Sequence, residues 1–147
     1  MPEPRNLRVF LCHASDDKPV VRELYQRLLA EGWIDPWLDE EKLLPGQDWN
    51  LEIEKAVENA DAVIVCVSSI SVAKEGYIQR ELRRVLRIAE EKLEGAIFVL
   101  PVRLDECERP RQLKDKEFTD YFPEARRTSV FEKLKMSLKL RKDALGI

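Results

Sequence analysis

Apolar residues along this chain come in two alternating rhythms, short unbroken runs and stripes at helical spacing. The first run, Val9 to Cys12, is β-prone and gives way to the turn-rich stretch His13 to Asp17. Val20, Val21, Leu24 and Leu28 then repeat at helical spacing. Asp16 or Asp17 offers this helix an N-cap, and Gly32 suits the position just past its end. Ile34 to Asp39 predicts a second strand, which Pro36 restricts to a sheet edge. Pro45-Gly46 marks a turn in the loop Glu40 to Gln47. Trp49, Ile53, Ala56, Val57 and Ala60 follow as a helical stripe opened by Asp48.

The run Ala62 to Val67 is apolar without alternation, as expected of a strand buried on both faces of a parallel sheet. A long helix is predicted from about Tyr77 to Leu93, striped by Ile78, Leu82, Val85, Leu86, Ala89 and Leu93 and ended by Gly95. Ala96 to Val102 reads as another buried strand with a late Pro101, and Phe118 to Tyr121 as a short last one. Val130, Phe131, Leu134 and Leu138 share one face of a C-terminal helix whose basic last turns suit the helix dipole. The resulting order, β-α-β-α-β-α-β-loop-β-α, argues for an α/β fold. It predicts a flavodoxin-like, doubly wound, five-stranded parallel sheet in the order 2-1-3-4-5, with helices on both faces. The stretch Arg103 to Thr128 has little periodicity and is too long for an ordinary connection.

Length adds that 147 residues fit one domain, taken as 1–147. Charged residues make up 36% of the chain, but 25 Lys+Arg against 28 Asp+Glu nearly cancel to −3. A pI near 5.4 argues against a nucleic-acid partner. The longest apolar run, Ala62 to Val67, is far short of the ~20 residues a membrane span needs. The opening Met-Pro-Glu-Pro-Arg lacks the apolar stretch of a signal peptide. Cys12, Cys66 and Cys107 form no disulfide framework. A soluble, cytoplasmic domain is expected.

In such a sheet, ligands sit beyond the carboxyl ends of the strands, where strands 1 and 3 diverge. The loops Cys12 to Asp17, Asp39 to Asp48 and Ser68 to Gly76 meet there, offering His13, Ser15, Asp16, Asp39, Ser68, Ser71, Tyr77 and Glu81. A single histidine and no close Cys/His/Asp cluster argue against a metal site. Glycine-rich dinucleotide and phosphate cradles and the G-x-S-x-G elbow are absent. Cys12 and His13, as neighbours at a strand end, point to opposite faces and make a poor nucleophilic pair. A phospho-acceptor domain would want aspartate after the third strand and lysine after a later one, where this chain has Ser68 and Arg103. Spacing alone leaves Glu81 open between a surface glutamate paired with Arg84 and a site carboxylate. Arg80, Arg83, Arg84 and Arg87 would keep it ionised, which suits an electrostatic role better than proton donation.

Four segments together resemble a Toll/interleukin-1 receptor (TIR) domain of bacterial type. Val9-Phe10-Leu11-Cys12-His13-Ala14-Ser15-Asp16-Asp17-Lys18 is similar to the family's F-[IL]-S-H-A-S-x-D-K box. Trp37-Leu38-Asp39 and Leu44-Pro45-Gly46 match the second box and its BB loop. Ile64 to Ser68 followed by Tyr77-Ile78-Gln79-Arg80-Glu81-Leu82 is similar to the third, W-x-x-x-E-L, and Pro101 to Asp105 to the fourth strand and its exit. The likeness runs from about Arg8 to Leu140. It implies an NAD+ glycohydrolase of bacterial defence signalling, activated by self-association, in which Glu81 cleaves the nicotinamide–ribose bond.

That bond breaks through an oxocarbenium-like state, as glycosidic bonds do, so a fixed carboxylate fits the task. The resemblance further implies that His13, Ala14 and Ser15 border the substrate, with Trp37, Asp39 and Leu43 nearby. Trp37 stays open between core aromatic and stacking platform, and Ser68 and Ser71 between ribose or phosphate ligands and loop caps. Leu44, Pro45 and Gly46 would mediate homotypic assembly with other TIR domains. NAD+ is then substrate, and no cofactor, metal, nucleic acid or membrane is expected. Two departures stand out: Tyr77 replaces the usual tryptophan, keeping a stacking face, and Cys12 replaces a common serine. The alternative is a non-catalytic TIR–TIR interaction module.

Overall fold

The computed structural model describes residues 5–38, 44–70, 83, 87, 99–110, 113 and 115–147. Five parallel strands form one sheet in the order β2-β1-β3-β4-β5. They are β1 (Leu7–Cys12), β2 (Ile34–Trp37), β3 (Ala62–Val67), β4 (Val99–Arg103) and β5 (Thr119–Asp120). The helices described are α1 (Lys18–Ala30), α2 (Trp49–Asn59) and α3 (Arg127–Leu145). The order and the parallel sense match the expectation from the alternating rhythms. The predicted helix at 77–93 lies outside the described residues, apart from Arg83 and Arg87, which are helical and exposed.

Strand alternation divides the core in two. Leu7, Val9, Leu11, Ile64 and Cys66 face α1 and α3, where Leu24, Leu28, Phe131 and Leu138 meet them. Phe10, Cys12, Val63, Val65 and Val67 face the other way, onto Ile53 and Val57 of α2. All six residues of β3 are buried, which is why its sequence shows no polar alternation.

The prolines sit where a missing N–H does no harm. Leu7 N–H donates to the Trp33 carbonyl at 2.9 Å, so Trp33 and Asp35 turn their backbone groups toward β1 and Pro36 turns away from the sheet. Tyr121 N–H donates to the Arg103 carbonyl at 2.8 Å, so Arg103 and Pro101 share the β5 side of β4. β5 pairs only from Val102 onward, leaving Pro101 unpaired on that side. Gly32, at φ +82°, follows the end of α1 as expected.

The aperiodic stretch after β4 is organised by one side chain. Arg103 holds Asp120 through Nε and Nη2 at 2.7 and 2.8 Å and donates to the Cys107 carbonyl at 2.9 Å. Its guanidinium lies over the Phe122 ring, 5.5 Å from the centroid. Nearby, Glu23 of α1 accepts from Tyr121 Oη at 2.8 Å and from Arg127 Nη1 at 2.6 Å, fastening the start of α3.

At the opposite end of the sheet, Asp61 ties three segments together. Its carboxylate takes both Arg5 Nη atoms at 2.6 and 2.9 Å and the Arg8 amide at 2.8 Å, while its carbonyl accepts from Arg141 Nε at 2.8 Å. Burial pushes the Asp61 carboxyl up, but the Arg5 and Arg8 hydrogen bonds outweigh it and hold the group below its ordinary value. A depressed carboxyl stabilises the fold above its unfolded pKa of about 4 and loses that contribution as pH falls through the folded value. Asp61→Asn is therefore expected to destabilise by about 2 kcal/mol at pH 7, a Tm drop of roughly 4–8 °C. Paired thermal melts at pH 7 and pH 3 check this, since the gap to the wild type should shrink in acid.

Candidate functional site

β1 and β3 end side by side, and their exits build a crevice at the carboxyl edge of the sheet. After Cys12 the chain buries His13 and Ala14 and enters a 3-10 turn, Ser15–Asp17, that runs straight into α1. Asp17 thus occupies the N-cap position with a near-helical backbone (φ −94°, ψ 2°) and makes no cap hydrogen bond. Capping side chains normally depart from extended backbone, so this carboxylate is free to turn elsewhere. It accepts from the Ser68 hydroxyl at 2.9 Å, across the gap between the two strand ends.

The third wall comes from β4. Leu104 N–H donates to the Val67 carbonyl at 2.8 Å, prolonging the β3–β4 ladder by one residue and delivering Asp105 beside Ser69. Asp105 accepts from the Ser69 amide at 2.8 Å and from its hydroxyl at 2.9 Å. Ser69 and Ile70 are already helical, so Asp105 acts as a helix cap supplied from another strand. Burial pushes the Asp17 carboxyl above its ordinary value; the Ser68 hydrogen bond and His13 oppose the rise, and the Asp105 charge adds to it. Burial likewise pushes the Cys66 thiol well up, leaving an inert core group beneath this site.

Of the expected site residues, the structure brings His13, Ala14, the backbone of Ser15 and Ser68 together at this edge. His13 Nδ1 lies 3.4 Å from the Leu11 carbonyl oxygen. Ser68 is 2% exposed and donates a hydrogen bond from its hydroxyl to Asp17. Trp37 ends β2 opposite Phe10 and stacks on that ring, with centroids 5.1 Å apart at 17°. One Trp37 face is therefore taken by the core, and its register places it about 10 Å short of His13 along the sheet. Asp39, Leu43, Ser71, Tyr77 and Glu81 lie outside the described residues.

Leu44-Pro45-Gly46-Gln47 forms a type II turn. Gln47 N–H donates to the Leu44 carbonyl at 3.1 Å, proline holds the second position, and Gly46 has φ +89° in the third. The Gln47 side chain closes the turn by accepting from Leu44 N–H at 2.7 Å, and Leu44 itself is 66% exposed. Asp48 then caps α2, accepting from Leu51 N–H at 3.1 Å, as its position implied. Sequence reasoning missed the contacts that Asp17 and Asp105 make with Ser68 and Ser69 at this edge. Asp17 looked like a helix cap, and Asp105 has no periodic signal beyond following a buried strand.

The family model of the TIR domain matches residues 9–135. A Bacteroides thetaiotaomicron protein named as a 2′ cyclic ADP-D-ribose synthase, BtTIR, is 33% identical over 104 residues, 69% of this chain and 34% of that protein. A protein of a Theionarchaea archaeon (strain DG-70-1), named as the NAD(+) hydrolase TcpA, is 37% identical over 95 residues, 64% of this chain and 27% of that protein. The chain thus spans about a third or less of the length of these curated relatives. Among solved structures, the TIR domain of the Toll-related receptor TRR-2 from Hydra magnipapillata superposes with a TM-score of 0.72 at 21% identity, over 91% of this chain and 99% of that one. Motif order, sheet topology and a family match over most of its length agree: the chain belongs to the TIR domain family.

Proposed function

We propose that this domain cleaves NAD+ at the nicotinamide–ribose bond and does so in self-associated form. The observation that carries the reading is the naming of both curated relatives for NAD+ chemistry, one as a hydrolase and one as a cyclic ADP-ribose synthase. Glu81 stands at the position where the resemblance expects the family glutamate. In the reaction, the electron pair of the C1′–N bond leaves with nicotinamide, which departs neutral and needs little acid assistance. The cationic sugar left behind is stabilised by the Glu81 carboxylate and captured by water, or by a nucleophile of the same molecule if a cyclic product forms. NAD+ is the substrate, and the reaction needs neither metal nor cofactor.

Excluding water from the reacting sugar favours the chemistry, and in a self-associated form a second copy would help to do so. A non-catalytic interaction module is the second reading, favoured by Tyr77 in the place of the usual tryptophan. One experiment separates the two: nicotinamide release per molecule across a hundredfold range of protein concentration, with and without a crowding agent. Turnover is expected to be near zero in dilute protein and to rise with concentration. Absence of nicotinamide at every concentration supports the interaction module, and a flat, substantial rate removes the shared pocket while keeping the enzyme.

A further inference from the structure

Two helices on opposite faces of the sheet carry exposed large apolar residues among charges of opposite sign. On α3, Met136 and Leu140 stand about one turn apart and are 67% and 61% exposed. On α2, Leu51 is 47% exposed. The helix α3 holds six basic residues against two acidic ones, and α2 three glutamates against one lysine. That lysine, Lys55, pairs with Glu52 at 3.7 Å, so Glu54 and Glu58 set the charge of the α2 surface. Glu58 and Lys133 are both exposed, and neither forms an ion pair with another described residue.

Spacing matches the two surfaces to each other. Leu51 and Glu58 are seven residues apart on α2, and Lys133 and Leu140 are seven apart on α3. Seven residues make about two turns, so each pair shares a helix face with its ends about 10 Å apart. Laid antiparallel, Leu51 meets Leu140, Glu58 meets Lys133, and the Lys55 stem covers Met136 between them. A parallel arrangement sets each charge against a leucine. We infer that the α2 face of one copy docks on the α3 face of a second copy, with Glu58 paired to Lys133 and Leu51 seated on Leu140.

The inference deepens the proposed self-association and rests on it. Because α2 and α3 cover opposite faces of the sheet, the contact joins unlike surfaces. A dimer made this way keeps one α2 face and one α3 face unused, so association continues past two copies. The helix α2 has only eleven residues, about 16 Å, so a single contact is small and holds only in concentrated protein.

Light scattering of the full chain over a hundredfold concentration range, with thermal melts alongside, tests the contact. Glu58→Lys and Lys133→Glu are each expected to lower the association constant about tenfold or more, because like charges then face each other. Both should keep the wild-type Tm, since a lysine in the last turn of α2 suits the helix dipole and glutamate is a good helix former. Mixed in equal amounts, the two variants should recover wild-type association, because every junction between unlike copies then pairs opposite charges. Leu140→Glu sets a charge against Leu51 and should weaken association on its own, whatever the fate of the other variants. Single variants that associate like the wild type, or a mixture that stays monomeric, overturn the contact and assign these faces to a partner other than a second copy. Self-association itself survives that result. A wild type that stays monomeric at every concentration overturns both.

Discussion

Glu81→Gln is expected to abolish nicotinamide release, lowering turnover by about a thousandfold or more, while the melting curve stays within a degree of the wild type. A factor of a thousand is about 4 kcal/mol of transition-state stabilisation, within the range one charged group supplies in a water-poor site. The substitution keeps size and shape and removes only the charge that the proposed mechanism sets against the developing cation. The sequence places Glu81 beside the predicted apolar stripe and not in it, so the core should not register the change. Arg83 and Arg87, two and six residues further along the chain, are helical and exposed. Wild-type turnover in a folded Glu81→Gln protein would remove the assignment.

Gly46→Pro is expected to leave a folded monomer whose specific activity no longer rises with concentration. The turn needs φ +89° at this position, and proline is locked near −65°, so the type II geometry cannot form. A Cβ at Gly46 would meet nothing within 4 Å among the described residues, so the effect argued here comes through the backbone. Leu44, exposed at the head of the turn, is redirected along with it. Gly46→Ala grades the effect, because alanine can reach positive φ at a strain of about 1–2 kcal/mol. Light scattering across the same hundredfold range measures the outcome; larger species in folded Gly46→Pro would show that assembly does not use this turn.

What the sequence made readable was whatever repeats or punctuates. The six-residue run at Ala62 reads as a strand covered on both faces, and it is the centre of the sheet. Pro45-Gly46 and Asp48 announced a turn and a cap, and both formed. Features set by single side chains meeting across strands stayed hidden. Spacing gave Arg103 no role of its own, yet it organises the stretch after β4 through Asp120, Cys107 and Phe122. Asp17 satisfied every local rule for a helix cap, and only the juxtaposition of β1 and β3 revealed its partner in Ser68. At Trp37 the register shows what spacing could not, that one ring face lies on Phe10.

The two prolines of the sheet bear on how such a domain associates. On the β2 flank, Pro36 turns a carbonyl but no donor outward, and on the other flank β5 offers only two residues. Neither described border can template an added strand over any useful length, so the backbone ladder is closed to growth in both directions. In the proposed self-association, contacts between copies would then fall to loops and helix faces rather than to an extended backbone ladder. On the proposed reading, a domain that works when crowded is thereby kept from the irreversible polymerisation that crowding invites in open sheets.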